Sequence, residues 1–294
     1  MEIINFIQQF SHPILDLIMR IITEFGDVYF YLGVGLLFYW VIDKKFAFKL
    51  MTVFLFSMTI NGIIKSQTNK KRPYQEGAKA ILQETDGSSM PSGHSQGIVT
   101  FSLIFEKEYK EYRWLKYLLI PLVILVPFSR LYLGQHYLDD VLVGIVLGVL
   151  FGYLGFFLLE LGDSDKEHIR ALYFIPVLLI LIPLINDNQI YLAGGAYFGL
   201  SIGYFLEKKY INYDIKDTLL VNVLKLIIGG VVAFLLKDGL EKLLKPFIKN
   251  VNILDAVRYM FVTLWASFGA MALFKVLFKK KIKSEEIVLK EEKI

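Results

Sequence analysis

"LDDVLVGIVLGVLFGYLGFFLLEL" (Leu138 to Leu161) decides the fold. After its two aspartates, residues 141–159 carry no charge. A helix that crosses a bilayer needs about 20 mostly apolar residues. Gly144, Gly148 and Gly152 recur every fourth residue, followed by Gly155. That spacing is a small-residue stripe for close helix packing, not a phosphate loop.

Similar apolar runs lie on both sides, at 27–43, 47–65, 92–106, 114–128, 170–186, 189–206, 218–236 and 255–278. The chain has 294 residues, 55% of them hydrophobic, with mean hydropathy +0.51. It is too apolar for an ordinary soluble protein. No strand-like alternation is sustained, and a spanning segment must satisfy its backbone internally, so an all-α polytopic bundle of about nine spans is expected. Residues 3–25 alternate apolar and polar at helical spacing, with Pro13 near the start and Gly26 past the end. They read as an amphipathic helix in the interface rather than a span. Three parts follow: 1–26, an interfacial helix; 27–161, a polar-motif bundle; 162–294, a helical extension of open role.

The formal charge of +4 is too small for a nucleic-acid binder, and zero cysteines exclude disulfides and thiolate metal sites. "MEIINFIQQF" has no basic n-region and no small-residue cleavage site, so no removable leader is expected. With nine spans, the connections 43–49, 107–113, 162–169, 207–217 and the tail after 278 share one side. They hold most of the loop lysines, including "KKKIK" from Lys279. The positive-inside rule puts them, and the C-terminus, in the cytoplasm. The 237–254 connection, with Lys237, Lys242, Lys245 and Lys249, runs against the trend.

Three polar stretches meet on the other side. "KSQTNKKRPY" (Lys65 to Tyr74) opens the 66–91 loop, "PSGH" (Pro91 to His94) closes it, and "SRLYLGQHYLDD" (Ser129 to Asp140) lies two spans later. Charges at helix ends in an apolar bundle are costly and usually functional. Lys65, Arg72 and Arg130 are fixed cations, and arginine's planar fork matches phosphate oxygens. Ser92 and Gly93 sit where a loop enters a helix, with free N–H groups for an anion. A histidine beside a carboxylate is an oriented nucleophile or base, and a second can be a general acid. On a helix, residues i+3 and i+4 lie about 60° and 40° from i, on opposite sides, so Asp139 and Asp140 can both lie near His136.

Lys65 with Arg72-Pro73, Pro91-Ser92-Gly93-His94, and Ser129-Arg130 with His136 and Asp140 resemble, in order and spacing, the three-part signature of the type 2 phosphatidic acid phosphatase family. The likeness covers roughly 27–160, and "ITEFGD" (Ile22 to Asp27) is similar to the family's longer bacterial members. No family motif is legible in 162–294. The resemblance implies a membrane lipid phosphatase. His136 would attack phosphorus to form a phosphohistidine, and Asp140, selected over Asp139, would hold its ring. His94 would protonate the leaving oxygen. Lys65, Arg72, Ser92, Gly93 N–H and Arg130 would bind the phosphoryl oxygens. It implies no metal or other cofactor, and a lipid phosphate at the bilayer as partner. Phosphatidic acid, phosphatidylglycerol phosphate, a polyprenyl pyrophosphate or a sphingoid phosphate would all use the same residues.

Other readings compete. "GHSQG" (Gly93 to Gly97) fits the serine-hydrolase elbow, but no strand precedes it, so Ser95 is expected in a helix's first turn. Lys225, mid-span, is expected to be structural, though it keeps a transporter or flippase open. A phosphotransferase using the same phosphohistidine is the other alternative. Asp255 and Arg258 read as a helix pair, and His12 and His168 as surface or interface residues. Glu24 and Asp27 read as caps or as flanks of the site.

Overall fold

The computed structural model describes residues 1–278 except Asp86, and Ser164 only in its backbone. The Lys279 run and the acidic tail lie outside the described residues. Every element among them is helical, with no strand.

A helix forms in each of the nine apolar ranges. They are α3 (Val28–Leu37), α4 (Lys44–Thr68), α5 (Gly93–Glu108), α6 (Leu115–Tyr132), α7 (Leu138–Glu160), α8 with α9 (Glu167–Leu172, Ile175–Ile185), α10 (Asn188–Leu206), α11 (Leu219–Leu244), and α12 with α13 (Val251–Leu264, Ala270–Leu277). The nine-span expectation is met only in part. Six of the described helices are long and apolar enough to cross a membrane; a seventh arises if Pro13–Glu24 and Val28–Ile42, bent by 49°, make one span. α5 falls short because it has only 16 residues, and α10 because its glycines, tyrosines and first-turn amides lower its hydropathy.

The N-terminal segment is also different from the single helix expected. It forms α1 (Glu2–Gln8) and α2 (Pro13–Glu24). Pro13 cannot continue a helix from before it but suits a first turn. His12 caps that turn by accepting from Ile14 N at 3.4 Å.

Side-chain caps start most helices. Asp27 accepts from Tyr29 N at 2.8 Å, Asp43 from Phe46 N at 2.9 Å, and Asp187 from Gln189 N at 2.9 Å. Each satisfies an N–H that the helix leaves unpaired.

α5 is the innermost helix of the first half, with Ile98, Val99, Phe101, Ile104 and Phe105 buried. It lies against α7 through the glycine stripe. A Cβ on Gly144 would sit 2.6 Å from Ser92 O, and one on Gly148 2.7 Å from Gln96 O. At Gly152 the nearest atom is 3.5 Å away, so the approach loosens along the helix. A buried polar bond locks the contact, Thr100 Oγ1 donating to Gly148 O at 3.2 Å, and Asn61 Nδ2 donates to Gln96 Oε1 at 2.8 Å to tie α5 to α4.

The extension repeats this device. Gly195, Gly199 and Gly203 on α10 face Ala256 and Met260 of α12 and Ser267, between α12 and α13, too closely to admit a Cβ. Thr263 Oγ1 donates to Ala196 O at 2.9 Å across that contact. The two halves share one core, since Phe48 of α4 stacks on Tyr204 of α10 at 3.8 Å. α11 lies at the outside; of its residues only Lys225 and Gly229 are buried.

Candidate active site

Helix ends deliver the polar motifs to one place. Lys65 lies in the last turn of α4, which stops at Asn69 in a left-handed conformation (φ 45°). Arg72 follows in the loop. Ser92 caps α5, accepting from Ser95 N at 3.4 Å, so Gly93 and His94 form its first turn. Arg130 ends α6. The chain then turns at Gly134 (φ 72°), where a Cβ would meet Lys79 O at 2.5 Å, and His136 precedes α7. Asp140 is the third residue of α7.

All these residues are brought together. His94 feels the charges of Arg130, His136, Lys65 and Arg72, and Lys65 those of Arg72, Arg130, Asp140 and Asp187. Arg72, Ser92, Arg130, His136 and Asp140 are buried. The second and third motifs are joined directly, Ser92 N donating to Asp140 O at 3.0 Å.

The His136 ring is fixed at both nitrogens. Nδ1 is 2.6 Å from Ser89 O, and Nε2 is 3.5 Å from Arg72 Nη1. A carbonyl only accepts, so Nδ1 carries the hydrogen and Nε2 the lone pair. Burial, opposed by Asp140 and assisted by Arg130, Lys65 and Arg72, pushes the His136 imidazolium down to about 3. The ring is therefore neutral near pH 7, with its free nitrogen toward the cations. Arg72 is held by Gln135 O at 3.2 Å and Gly87 O at 3.3 Å.

Asp140 is fully buried and reaches His136 Nδ1 only at 3.7 Å. Its Oδ2 accepts from Ser89 Oγ at 2.5 Å and from Tyr137 N at 2.8 Å, and its Oδ1 from Lys70 Nζ at 2.8 Å. Asp139 and Asp140 do not stand at helical angles to His136, because α7 begins at Leu138 and His136 is outside it. A capping geometry separates them instead. Asp140, third in the helix, reaches back to the Tyr137 N–H. Asp139 faces outward and pairs with Lys70 at 2.5 Å.

Three neighbours were not read from the sequence. Ser89 supplies the carbonyl under the ring; it is one serine in a polar loop, with no spacing to single it out. Lys70 lies between Lys65 and Arg72 and looked like another loop lysine. Thr23, on α2, accepts from Arg130 Nη1 at 2.8 Å. Ser95 Oγ is buried and donates to Ser92 Oγ at 2.9 Å, so it belongs to the first turn of α5. Among the described residues no cluster of histidine and carboxylate groups could hold a metal ion.

Comparison with known proteins gives the same region. The PAP2 superfamily profile matches residues 46–160. A second, for the transmembrane extension of PAP2 superfamily phosphatases, matches 191–282, where no motif was legible. The chain is 29% identical over 165 residues to the undecaprenyl-diphosphatase BcrC of Bacillus subtilis (strain 168), covering 53% of this chain and 81% of that protein. It is 30% identical over 173 residues to phosphatidylglycerophosphatase B of the same strain, covering 54% and 80%. A solved PAP2-type phosphatidylglycerolphosphate phosphatase of Bacillus subtilis superposes at TM-score 0.45 with 25% identity, over 52% of this chain and 81% of that one. The chain belongs to the PAP2 superfamily of phosphatases and carries that superfamily's transmembrane extension.

Proposed function

We propose that this multi-pass membrane protein releases phosphate from a lipid phosphomonoester or diphosphate through a phosphohistidine on His136. The observation that carries the reading is the ring's orientation: Nδ1 on Ser89 O at 2.6 Å, Nε2 toward Arg72. Lys65, Arg72, Arg130, Ser92 and the Gly93 N–H hold the phosphoryl oxygens. Nε2 attacks phosphorus, the bond to the leaving oxygen breaks, and His94 gives that oxygen its proton. Water then attacks the phosphohistidine, His94 takes its proton back, and phosphate leaves. The imidazole bears positive charge while phosphorylated, and the Asp140 carboxylate at 3.7 Å offsets it. Positioning and electrostatics supply most of the rate for this chemistry.

Relatives acting on undecaprenyl diphosphate and phosphatidylglycerophosphate support a lipid substrate. So does a mostly apolar cleft of about 640 Å³ that Ile3, Ile4, Leu138 and Leu142 line beside Tyr137 and Asp139. The exposed Ile3, Phe6, Phe10, Ile14, Leu17 and Ile21 suit α1 and α2 to the bilayer interface. α3 crosses on its own, and α5 and α10 cross inside the bundle, where neighbours screen their polar residues from lipid; with the six long apolar helices that makes nine crossings. The lysine-rich connections then lie in the cytoplasm and the site on the outer face.

The test is phosphate release from a panel of lipid monophosphates and diphosphates in detergent, with His136→Ala as blank. Release by the wild type and a loss of at least about 10³-fold in the variant are expected. No release from any lipid would sink the reading.

A further inference from the structure

The N-terminal helix pair lies outside the three motifs, yet Thr23 on α2 touches the guanidinium of Arg130. α2 exposes Ile14, Leu17, Ile18 and Ile21 and buries only Met19 and Thr23. Thr23 Oγ1 accepts from Arg130 Nη1 at 2.8 Å, across 107 residues of chain. Both side chains are essentially inaccessible, 1% and 2% exposed. Arg130 Nε, in contrast, is buried with no hydrogen-bond partner. A buried, unpaired donor on a guanidinium calls for an acceptor.

The end of α2 also sets the other side of the site. A Cβ on Gly26 would sit 2.7 Å from Val126 Cγ1 and 2.9 Å from His94 Cδ2. Only glycine lets the chain pass between α6 and the His94 ring. Glu24 and Asp27 stand within electrostatic reach of Arg130 and help balance its charge, while Arg72 repels it.

We infer that Thr23 is a positioning residue for the phosphate site: it holds one arm of the Arg130 guanidinium so that Nε is presented to a phosphoryl oxygen. The inference rests on the proposed phosphatase reading for what the oxygen belongs to. A guanidinium with five donors in one plane is aimed by fixing any of them. The N-terminal segment is thereby part of the anion site as well as a surface for lipid.

A double-mutant cycle tests this on the full chain in detergent, with Thr23→Val, Thr23→Ser, Arg130→Ala and the Thr23→Val/Arg130→Ala pair. Two quantities are read for each: the inhibition constant of inorganic phosphate in the release assay, and the rise in thermal midpoint that inorganic phosphate produces without turnover. Thr23→Val is expected to weaken phosphate about tenfold, the worth of one charge-assisted hydrogen bond. Thr23→Ser should stay near wild type, and Thr23→Val should add nothing in the Arg130→Ala background. Equal losses in both backgrounds, a serine variant as weak as the valine one, or no loss at all would overturn the inference. So would a wild type whose midpoint phosphate does not move. A wild type that binds phosphate with this dependence on Thr23 but releases none from lipids would leave the positioning intact and remove the phosphatase reading.

Discussion

The cation cluster around Arg130 and the site around Lys225 both take cations out of water, and they differ in what faces them. Lys225 is fully buried on α11 and matched on every side. Its Nζ lies 2.6 Å from Asp217 Oδ2, 2.8 Å from Ile215 O and 3.3 Å from Asn222 Oδ1, over the Tyr213 ring at 5.0 Å. Arg258 in the same half pairs with Asp255 at 2.8 Å and with Glu241, although its Nε, like that of Arg130, is buried without a hydrogen-bond partner. Around Arg130, by contrast, Lys65, Arg72 and Arg130 repel one another, and the carboxylates that act on Lys65 and Arg130 come from separate elements: Glu24 and Asp27 act on Arg130, Asp140 and Asp187 on Lys65. A matched buried cation closes a structure. Like charges gathered in one place oppose folding and are sustained where an anion is to be bound.

Exchanging cations for apolar residues breaks or sharpens that contrast. Arg130→Leu is expected to lower kcat/KM by at least about 10²-fold while the thermal midpoint stays level or rises. Lys225→Leu removes the ammonium that Ile215 O, Asn222 and Asp217 accept from and should cost about 1–3 kcal/mol of stability, with kcat/KM of the folded protein within about threefold. Thermal unfolding in detergent beside initial rates separates the two. Equal destabilisation by both changes would erase the distinction.

Asp140→Asn is expected to lower kcat about 10²-fold, because it removes the charge that offsets the phosphorylated ring. Asp139→Asn, altering a half-exposed ion pair with Lys70, should stay within about threefold. Rates reversed between the two would move the orienting role to Asp139.

The smallest expected effect lies along α7. Gly144→Ala pushes against Ser92 O and should lower kcat/KM about tenfold, since a displacement of even 1 Å is felt in a positioned site. Gly152→Ala, with its nearest neighbour at 3.5 Å, should leave rates unchanged. Identical behaviour of the two alanines would mean that the stripe holds helices together without setting the distance between motifs.

Much of this was legible because it depends on local pattern. Apolar runs located a helix in each of the nine ranges, and the stripe from Gly144 to Gly155 announced a close helix contact. The motif residues are polar in an apolar chain, so Lys65, Arg72, His94, Arg130, His136 and Asp140 stood out. Thr23 and Ser89 did not, because a lone hydroxyl residue near a loop or on an amphipathic helix is unremarkable until its partner is known. Gly195, Gly199 and Gly203 show the same periodicity as the first stripe but went unread, since nothing polar drew the eye to α10.

The sequence by itself determined that the chain is helical and bilayer-embedded, and which residue types could bind and attack a phosphate. Hydropathy, helical period and motif spacing are properties of neighbours along the chain. Only the tertiary structure decided which atoms face which. It placed the His136 hydrogen on Nδ1 through the Ser89 carbonyl, held Asp140 inward as a cap and left Asp139 outside, and brought Thr23 to Arg130. Those outcomes depend on contacts between segments far apart in sequence, whose distances are set by helix packing and not by spacing along the chain.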